Sequence, residues 1–474
     1  MSTVDLLISA AHALTMEGHG VGYLSDVALA IDRSHIVAMG PRTELLGAYA
    51  AERTIHASHH VVLPGFIDAH LHTAMCLLRG LAQDTRSWMM HGLGPFIAQL
   101  SQRAMDAGTR LAVLEAVKAG TTTFGDFGWS MDPVCAFFER VGVRGAVAVT
   151  IREADQRIYE PGELYTFNPA LGRQQFEANL RLFDRWHGAA SGRLRVLFGP
   201  QGADFLSREL LLEIQHAARE RGTRIHMHVA QGDREIAQME RRYGKRTIGW
   251  LDELGLLDRG VLAVHLTEAA ADEARLVAQR GASMVLCSGS IGIIDGIVPP
   301  AATFQSAGGS VALGSDQAPG NNNHNIFNEM KLTALLNKVR AGDPEVMPAW
   351  RVLRMATIEG AAALGWDDEI GSLREGKRAD LCLVDLRRPT LTPVHTRPMR
   401  NLVPNLVYAA RGDEVDTVVI DGQIVVDQGR LMTAEEEDIV REAQQQAAAI
   451  GPMADTEFWR IDNANARAMR RGNL

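Results

Sequence analysis

Hydrophobic and polar positions change their period along this chain, and the change lays out its plan. The first sixty residues carry short aliphatic runs, Val4 to Ile8, Val27 to Ile31 and His35 to Met39, punctuated by Gly, Asp and Ser. That pattern predicts small antiparallel strands. From Val61 onward eight aliphatic runs follow, each ending in small or polar residues: Val61 to Ile67, Thr121 to Gly125, Gly145 to Thr150, Leu194 to Phe198, Arg224 to Val229, Val261 to Leu266, Ala282 to Leu286 and Val311 to Leu313. Helix-period stretches lie between them, such as Met105 to Lys118, Gln174 to Trp186, Ser207 to Arg221, Glu235 to Tyr243 and Glu268 to Arg280. Strand and helix in alternation predict parallel βαβ units. Eight such units over roughly 250 residues fit a closed (β/α)8 barrel, whose chemistry sits at the C-terminal strand ends. An open doubly wound sheet is the alternative, but no GxGxxG opens a first helix.

Two further helices are predicted, Asn325 to Asn337 and Ala349 to Leu364. Strands then return at Ala379 to Asp385, Val415 to Ile420 and Gln423 to Asp427, with Asp421-Gly422 as a two-residue hairpin signal. The expected fold is α/β: a (β/α)8 TIM-type barrel (61–378) beside a small β-sandwich domain formed by both chain termini (1–60 and 379–432), then a helical tail (433–474).

Composition narrows the class. The 474 residues are 46% hydrophobic and 22% charged, an ordinary globular balance. A net charge of −9 offers no positive field for phosphate backbones, so nucleic acid is not an expected partner. No Lys or Arg precedes Arg33, and no apolar run reaches the ~20 residues that span a bilayer. Cys76, Cys135, Cys287 and Cys382 are far apart and form no CxxC pair. A cytoplasmic protein with no membrane partner is expected.

Asp68-Ala-His70-Leu-His72 follows the first barrel run. Two histidines at i and i+2 on a strand face the same side and can converge on one cation, and imidazole suits zinc and its first-row neighbours. Alone the pair is a weak signal, equally at home on a surface. Position strengthens it: His228 ends the fifth run, His265 the sixth, and Asp316 follows the eighth. These residues would meet at one mouth of a barrel as a catalytic metal site.

The order of PGFIDAHLH, the strand-five histidine pair, the strand-six histidine, LGSD and GSLREGKRADLCLVD resembles the amidohydrolase superfamily from about Val4 to Val426. AGTTTFGD, Gly199-Pro200 and Asn321 to Asn323 followed by NIFNEMKL resemble its branch of S-adenosylhomocysteine and guanine deaminases and triazine hydrolases. The resemblance implies one divalent metal held by His70, His72, His228 and Asp316, zinc first, with iron, manganese and cobalt also compatible. It implies catalytic roles for Asp316, which moves a proton, and for His265, and a homo-oligomer, dimer or tetramer.

Three departures mark the substrate mouth. The family's strand-five HxxE reads His228-Val-Ala-Gln231 here, and Gln231 can orient a substrate but cannot shuttle a proton. Leu286-Cys287-Ser-Gly-Ser290-Ile291 stands where HCPxSN is usual, and Asp316-Gln317 where DG is usual. Trp88, His91, Phe127, Gln201, His226 and Cys287 are the expected substrate contacts, Cys287 having no basic neighbour that would make it a nucleophile. The resulting expectation is a hydrolase of non-peptide C–N bonds, with metal-activated water attacking an amino- or chloro-substituted heterocycle. The alternative is hydrolysis of a urea, carbamate or amide. A non-catalytic binding protein is the third reading, disfavoured by the intact ligand set.

Overall fold

A computed structural model describes residues 1–474 other than Gln156, Ile158, Glu160, Pro161 and Asp462. The eight repeated units form the barrel: β1 (Phe66–Leu71), β2 (Thr121–Gly128), β3 (Arg144–Ile151), β4 (Leu194–Val196), β5 (Ile225–Val229), β6 (Val261–His265), β7 (Ser283–Leu286) and β8 (Val311–Leu313). β1 to β4 and β5 to β8 each form a parallel arc. Parallel bridges Phe198–Ile225 and Leu71–Asp316 join the arcs into a ring. Strand positions alternate between two apolar surfaces, as a closed barrel demands. Ala146, Ala148, Leu262, Val264, Val285 and Ala312 share the inner cluster. Val147, Val149, Ala263, Met284 and Leu313 belong to the larger cluster that meets the helices.

The run from Val61 to Ile67 is two strands. Val61 to Pro64 end a strand of the terminal sheet (Tyr49–Pro64), and β1 begins at Phe66. Gly65 makes the break: its N–H donates to the Asp380 carbonyl, and a Cβ there would lie 2.1 Å from Thr122 Cγ2. Both termini do meet in one eight-stranded sheet, Leu381–Asp385 pairing antiparallel with the end of Tyr49–Pro64. The N-terminal strands are not all antiparallel, since Ser2–Leu14 pairs parallel with Tyr49–Pro64. Helix Arg42–Ala48 lies in the connection that such pairing requires. Asp421 and Gly422, with φ 52° and 80°, form the expected hairpin turn. Arg144 of β3, wholly buried, pairs with Asp380 and Asp421 and ties the barrel to this sheet.

Ala349 to Leu364 is also two elements, Ala349–Met355 and Ile358–Leu364. The break frees the Ala356 carbonyl to accept from Ile67 N–H at the base of β1. The tail forms helices Glu436–Arg460 and Ala464–Arg470. Among the described residues, no helix is long and apolar enough to cross a membrane.

Candidate active site

Three of the site's rings, His70, His72 and His228, are held through their Nδ1 atoms. His72 Nδ1 donates to the Phe127 carbonyl at 2.5 Å, and His228 Nδ1 donates to the Gln201 carbonyl at 2.6 Å. A carbonyl only accepts, so both rings carry the proton on Nδ1 and keep a lone pair on Nε2, the tautomer a metal ligand needs. His70 Nδ1 contacts His226 Nε2 at 2.8 Å, while its buried Nε2 has no hydrogen-bond partner. Both ring nitrogens of His265 are likewise buried and unpartnered.

Asp316 gathers these rings. Its Oδ1 lies 3.6 Å from His70 Nε2 and 3.4 Å from His72 Nε2, and its Oδ2 lies 4.0 Å from His265 Nε2. Nitrogen and oxygen donors arranged tetrahedrally at ~2.0–2.1 Å from zinc stand roughly 3.3 Å apart, so the cluster has the dimensions of a ligand set. His70, His72 and His228 form one group able to hold a metal, and His70, His265 and Asp316 a second, overlapping one. Orphaned buried nitrogens around a carboxylate are costly without a shared cation, and the residues fit one.

Burial alone would raise the Asp316 carboxyl, but His70, His265 and His72 outweigh it and hold it ionised, below the usual carboxylate range. Burial, together with neighbouring His72, pushes His265 down to about 4, leaving its ring neutral. Ser290 Oγ donates to Asp316 Oδ2 at 2.6 Å, and the Gln317 amide packs on the same carboxylate. Behind this layer, Asp68 accepts from the Ser315 N–H and hydroxyl, and Asp126 accepts from Thr73, fixing the chain just before Asp316 and just after His72. The strand ends depart from strand geometry here: Ala230, His265, Leu266 and Asp316 all have positive φ, between 52° and 77°. Non-glycine residues adopt it only where surrounding structure imposes it, at ~1–3 kcal/mol each.

The cluster opens into a cavity of about 740 Å³. Trp88, Phe127, Gln201 and Gln231 line it, as do His72, His228, His265 and Asp316. His91, His226 and Cys287 are not among the lining residues. His91 is exposed, on the helical turn Trp88–Leu93. His226 lies beneath His70 with no exposed surface, so it orients that ring and is not a substrate contact. Cys287 is buried against the inner barrel cluster, and burial raises its thiol well above its ordinary value. Several lining residues were not expected from the sequence: Trp129, Arg152, Tyr165, Asp204 and Arg234. Trp129, Arg152 and Tyr165 come from irregular segments between the regular elements, Asp204 from the short helical turn Ala203–Phe205 and Arg234 from helix Gly232–Tyr243, and nothing in their local spacing marks them.

The amidohydrolase family model matches residues 61–425. The chain belongs to the amidohydrolase family. It is 35% identical over 446 residues to a 5-methylthioadenosine/S-adenosylhomocysteine deaminase of Pelotomaculum thermopropionicum, covering 94% of this chain and 98% of that one. A 5'-deoxyadenosine deaminase of Methanosarcina mazei is 32% identical over 453 residues, covering 94% and 98%. Among solved structures, an adenosine deaminase from Xanthomonas campestris with bound zinc superposes with a TM-score of 0.88 at 29% identity, covering 95% and 99%. The fold is shared also with a zinc-bound atrazine chlorohydrolase from Arthrobacter aurescens, TM-score 0.83 at 22% identity, covering 93% and 100%. This amidohydrolase is therefore a hydrolase acting on non-peptide C–N bonds, built on the family's metal-dependent scaffold.

Proposed function

We propose that this amidohydrolase holds one zinc ion through His70, His72, His228 and Asp316, with His265 beside it, and hydrolyses the amino substituent of a nitrogen heterocycle. The observation that carries the reading is the set of unpartnered ring nitrogens converging on an ionised Asp316 at the floor of an aromatic-walled cavity. The deaminase relatives support the reaction class. A bound divalent cation supplies a water made acidic enough to ionise near neutral pH.

This chain's own residues do the rest. Asp316, ionised and aimed at the cavity floor, takes a proton from the attacking water and returns it to the leaving amine. Neutral His265 offers a nitrogen on the opposite side of Asp316, placed to hydrogen-bond oxygen as it adds to the ring. Phe127 and Trp88 line the wall against which a flat heterocycle would lie. Gln231 lines the same wall but has no proton to give. That single feature favours the second reading, hydrolysis of a urea, carbamate or amide, in which a carbonyl needs no ring protonation.

Mass spectrometry of products after incubating zinc-loaded protein with aminopurines, pterins, aminotriazines, aryl ureas and carbamates separates the two. An amino or chloro group exchanged for hydroxyl is the expected product. An amine released with an acid or carbon dioxide would replace the first reading by the second. Asp316→Asn should lower turnover at least 1,000-fold, roughly the weight of a lost general base, and survival of full activity would reject its role. A homo-oligomeric state and a cytoplasmic location complete the proposal, tested by light scattering and by cell fractionation.

A further inference from the structure

The cavity wall carries a second carboxylate, Asp204, outside the groups able to hold a metal. It sits on the turn Ala203–Phe205, just after Gln201, whose carbonyl holds His228. The turn is fixed to the chain beyond β3, because the Glu153 and Ala154 N–H groups both donate to the Phe205 carbonyl, at 2.9 and 3.1 Å. The Asp204 side chain folds back over Gly202: a Cβ there would stand 2.9 Å from Asp204 Oδ1 and 3.5 Å from the His228 carbonyl oxygen. Asp204 therefore lies beside the strand end that carries His228. It is 1% exposed, and among the described residues neither of its oxygens has a hydrogen-bond partner.

Arg234, Arg152 and Arg242 bear on its charge, yet each guanidinium is engaged elsewhere. Arg152 donates to the carbonyls of Ala154 and Asp155, each at 2.8 Å, and to Gln201 Oε1 at 3.3 Å. Arg242 donates to the Tyr165 carbonyl at 2.8 Å. Arg234 lies over the Phe205 ring, 4.9 Å from its centroid, with Nη1 3.2 Å from Met89 Sδ, and its Nη2 stops 3.6 Å from Asp204 Oδ2. That separation is a charge contact without a hydrogen bond. Burial pushes the Asp204 carboxyl up, and Arg234 is foremost among the groups opposing it. A structural ion pair would close the gap, since an unsatisfied buried carboxylate is costly. On a cavity wall the gap is one that a ligand's donors can fill.

We propose that Asp204 is the substrate's second anchor, accepting hydrogen bonds from N–H groups that a neutral heterocycle carries away from its reacting carbon. An ionised carboxylate only accepts, so it takes donors and refuses a ring nitrogen or an ether oxygen at the same place. The substrate is neutral because the neighbouring guanidiniums already balance the charge of Asp204 and would repel a cation. A substrate with a second amino group, beyond the one hydrolysed at the metal, satisfies this wall, and one with a methyl group there leaves the carboxylate buried and unpaired. The inference rests on the deaminase reading for what fills the cavity, and deepens it by naming a second polar contact of the substrate.

The test compares 2,4-diamino-6-methyl-1,3,5-triazine with 2-amino-4,6-dimethyl-1,3,5-triazine, in which methyl replaces the second amino group at nearly constant shape. Binding to the zinc-loaded protein is read by rapid-mixing tryptophan fluorescence, since Trp88 and Trp129 line the cavity and report occupancy before turnover. The diamine should bind about tenfold more tightly or better, the weight of a hydrogen bond to a charged group. Asp204→Asn should erase that ratio while leaving zinc content and affinity for the monoamine unchanged. Gly202→Ala serves as a second variant: its methyl group displaces Asp204 Oδ1 without altering charge, and should lower the ratio about threefold or more. Equal affinities in the wild type, or an Asp204→Asn protein that loses both ligands alike, would overturn the inference and leave the deaminase reading standing. So would a preference for adenosine over 2',3'-dideoxyadenosine that Asp204→Asn removes, with none for the second amino group, because the donors would then be hydroxyls. Product masses judge the reaction separately. If no amino group is exchanged for hydroxyl yet the ratio and its loss in Asp204→Asn are found, the deaminase reading fails and the subsite stands. If both are absent, both fall.

Discussion

A buried carboxyl group is defined by what surrounds it, and Glu329 illustrates how the site is supported one residue at a time. It has no exposed surface, accepts from the Gly289 N–H and from the Asn321 amide, and so braces the segment that carries Ser290 to Asp316. Burial outweighs those hydrogen bonds and pushes its carboxyl up to about 8 from an ordinary 4.5. The folded chain then keeps a proton that the unfolded chain releases, so this group's contribution is full below the unfolded value and is lost as pH rises toward the folded one. Urea unfolding at pH 5 and pH 8 should show the wild type losing more stability than Glu329→Gln, by up to about 1.4 kcal/mol for each pH unit. Parallel pH dependences would show that Glu329 is ionised throughout. At this scale the sequence was legible where chemistry repeats a spacing: His70, His72, His228, His265 and Asp316 all lie in the cluster that strand-end position predicted. It was not legible for His226, because period two on β5 gives the same face to His226 and His228. Depth along the strand decides that one ring meets the cavity and the other only His70.

Elements contribute by where they allow close approach. β8 runs against β1 at Gly314, where a Cβ would stand 2.7 Å from the His70 carbonyl oxygen and 2.9 Å from its Cβ. Gly314→Ala should push β1 away from Asp316, lowering zinc affinity tenfold or more by metal titration while leaving the far-ultraviolet circular dichroism unchanged; unaltered affinity would mean that the strands can part without moving His70. Element type and order were readable because strands buried on both faces are continuous apolar runs while the covering helices keep the 3.6 period. Two boundaries were not. Val61 to Ile67 and Ala349 to Leu364 each look continuous in hydropathy, and each is cut by a long-range backbone hydrogen bond, at Gly65 to Asp380 and at Ala356 to Ile67. Local pattern carries no record of such partners.

Over the whole molecule, the tail bears on the site from a distance of several hundred residues. Helix Glu436–Arg460 pairs Glu436 with Lys118 and Glu442 with Arg110, and its Ala443, Ile450 and Ala454 share an apolar cluster with Trp88, Leu93 and Phe96. Asn463 and Asn465 donate to the carbonyls of His91 and Gln83 in that same segment, and Glu457 reaches the cavity wall. A chain ending at Met432 should keep its metal but show KM raised about tenfold, since the wall carrying Trp88 loses its backing; unchanged steady-state kinetics would exclude the tail from the site. The sequence by itself determined the barrel, the joining of its two ends in a β domain and the cluster of metal-binding type, because periodicity and strand-end position are local properties that survive in one dimension. Only the tertiary structure decided which segments line the cavity and which histidines reach it. Those depend on contacts such as His70 with His226 and Glu457 with the cavity, made between residues whose separation along the chain bears no relation to their distance in space.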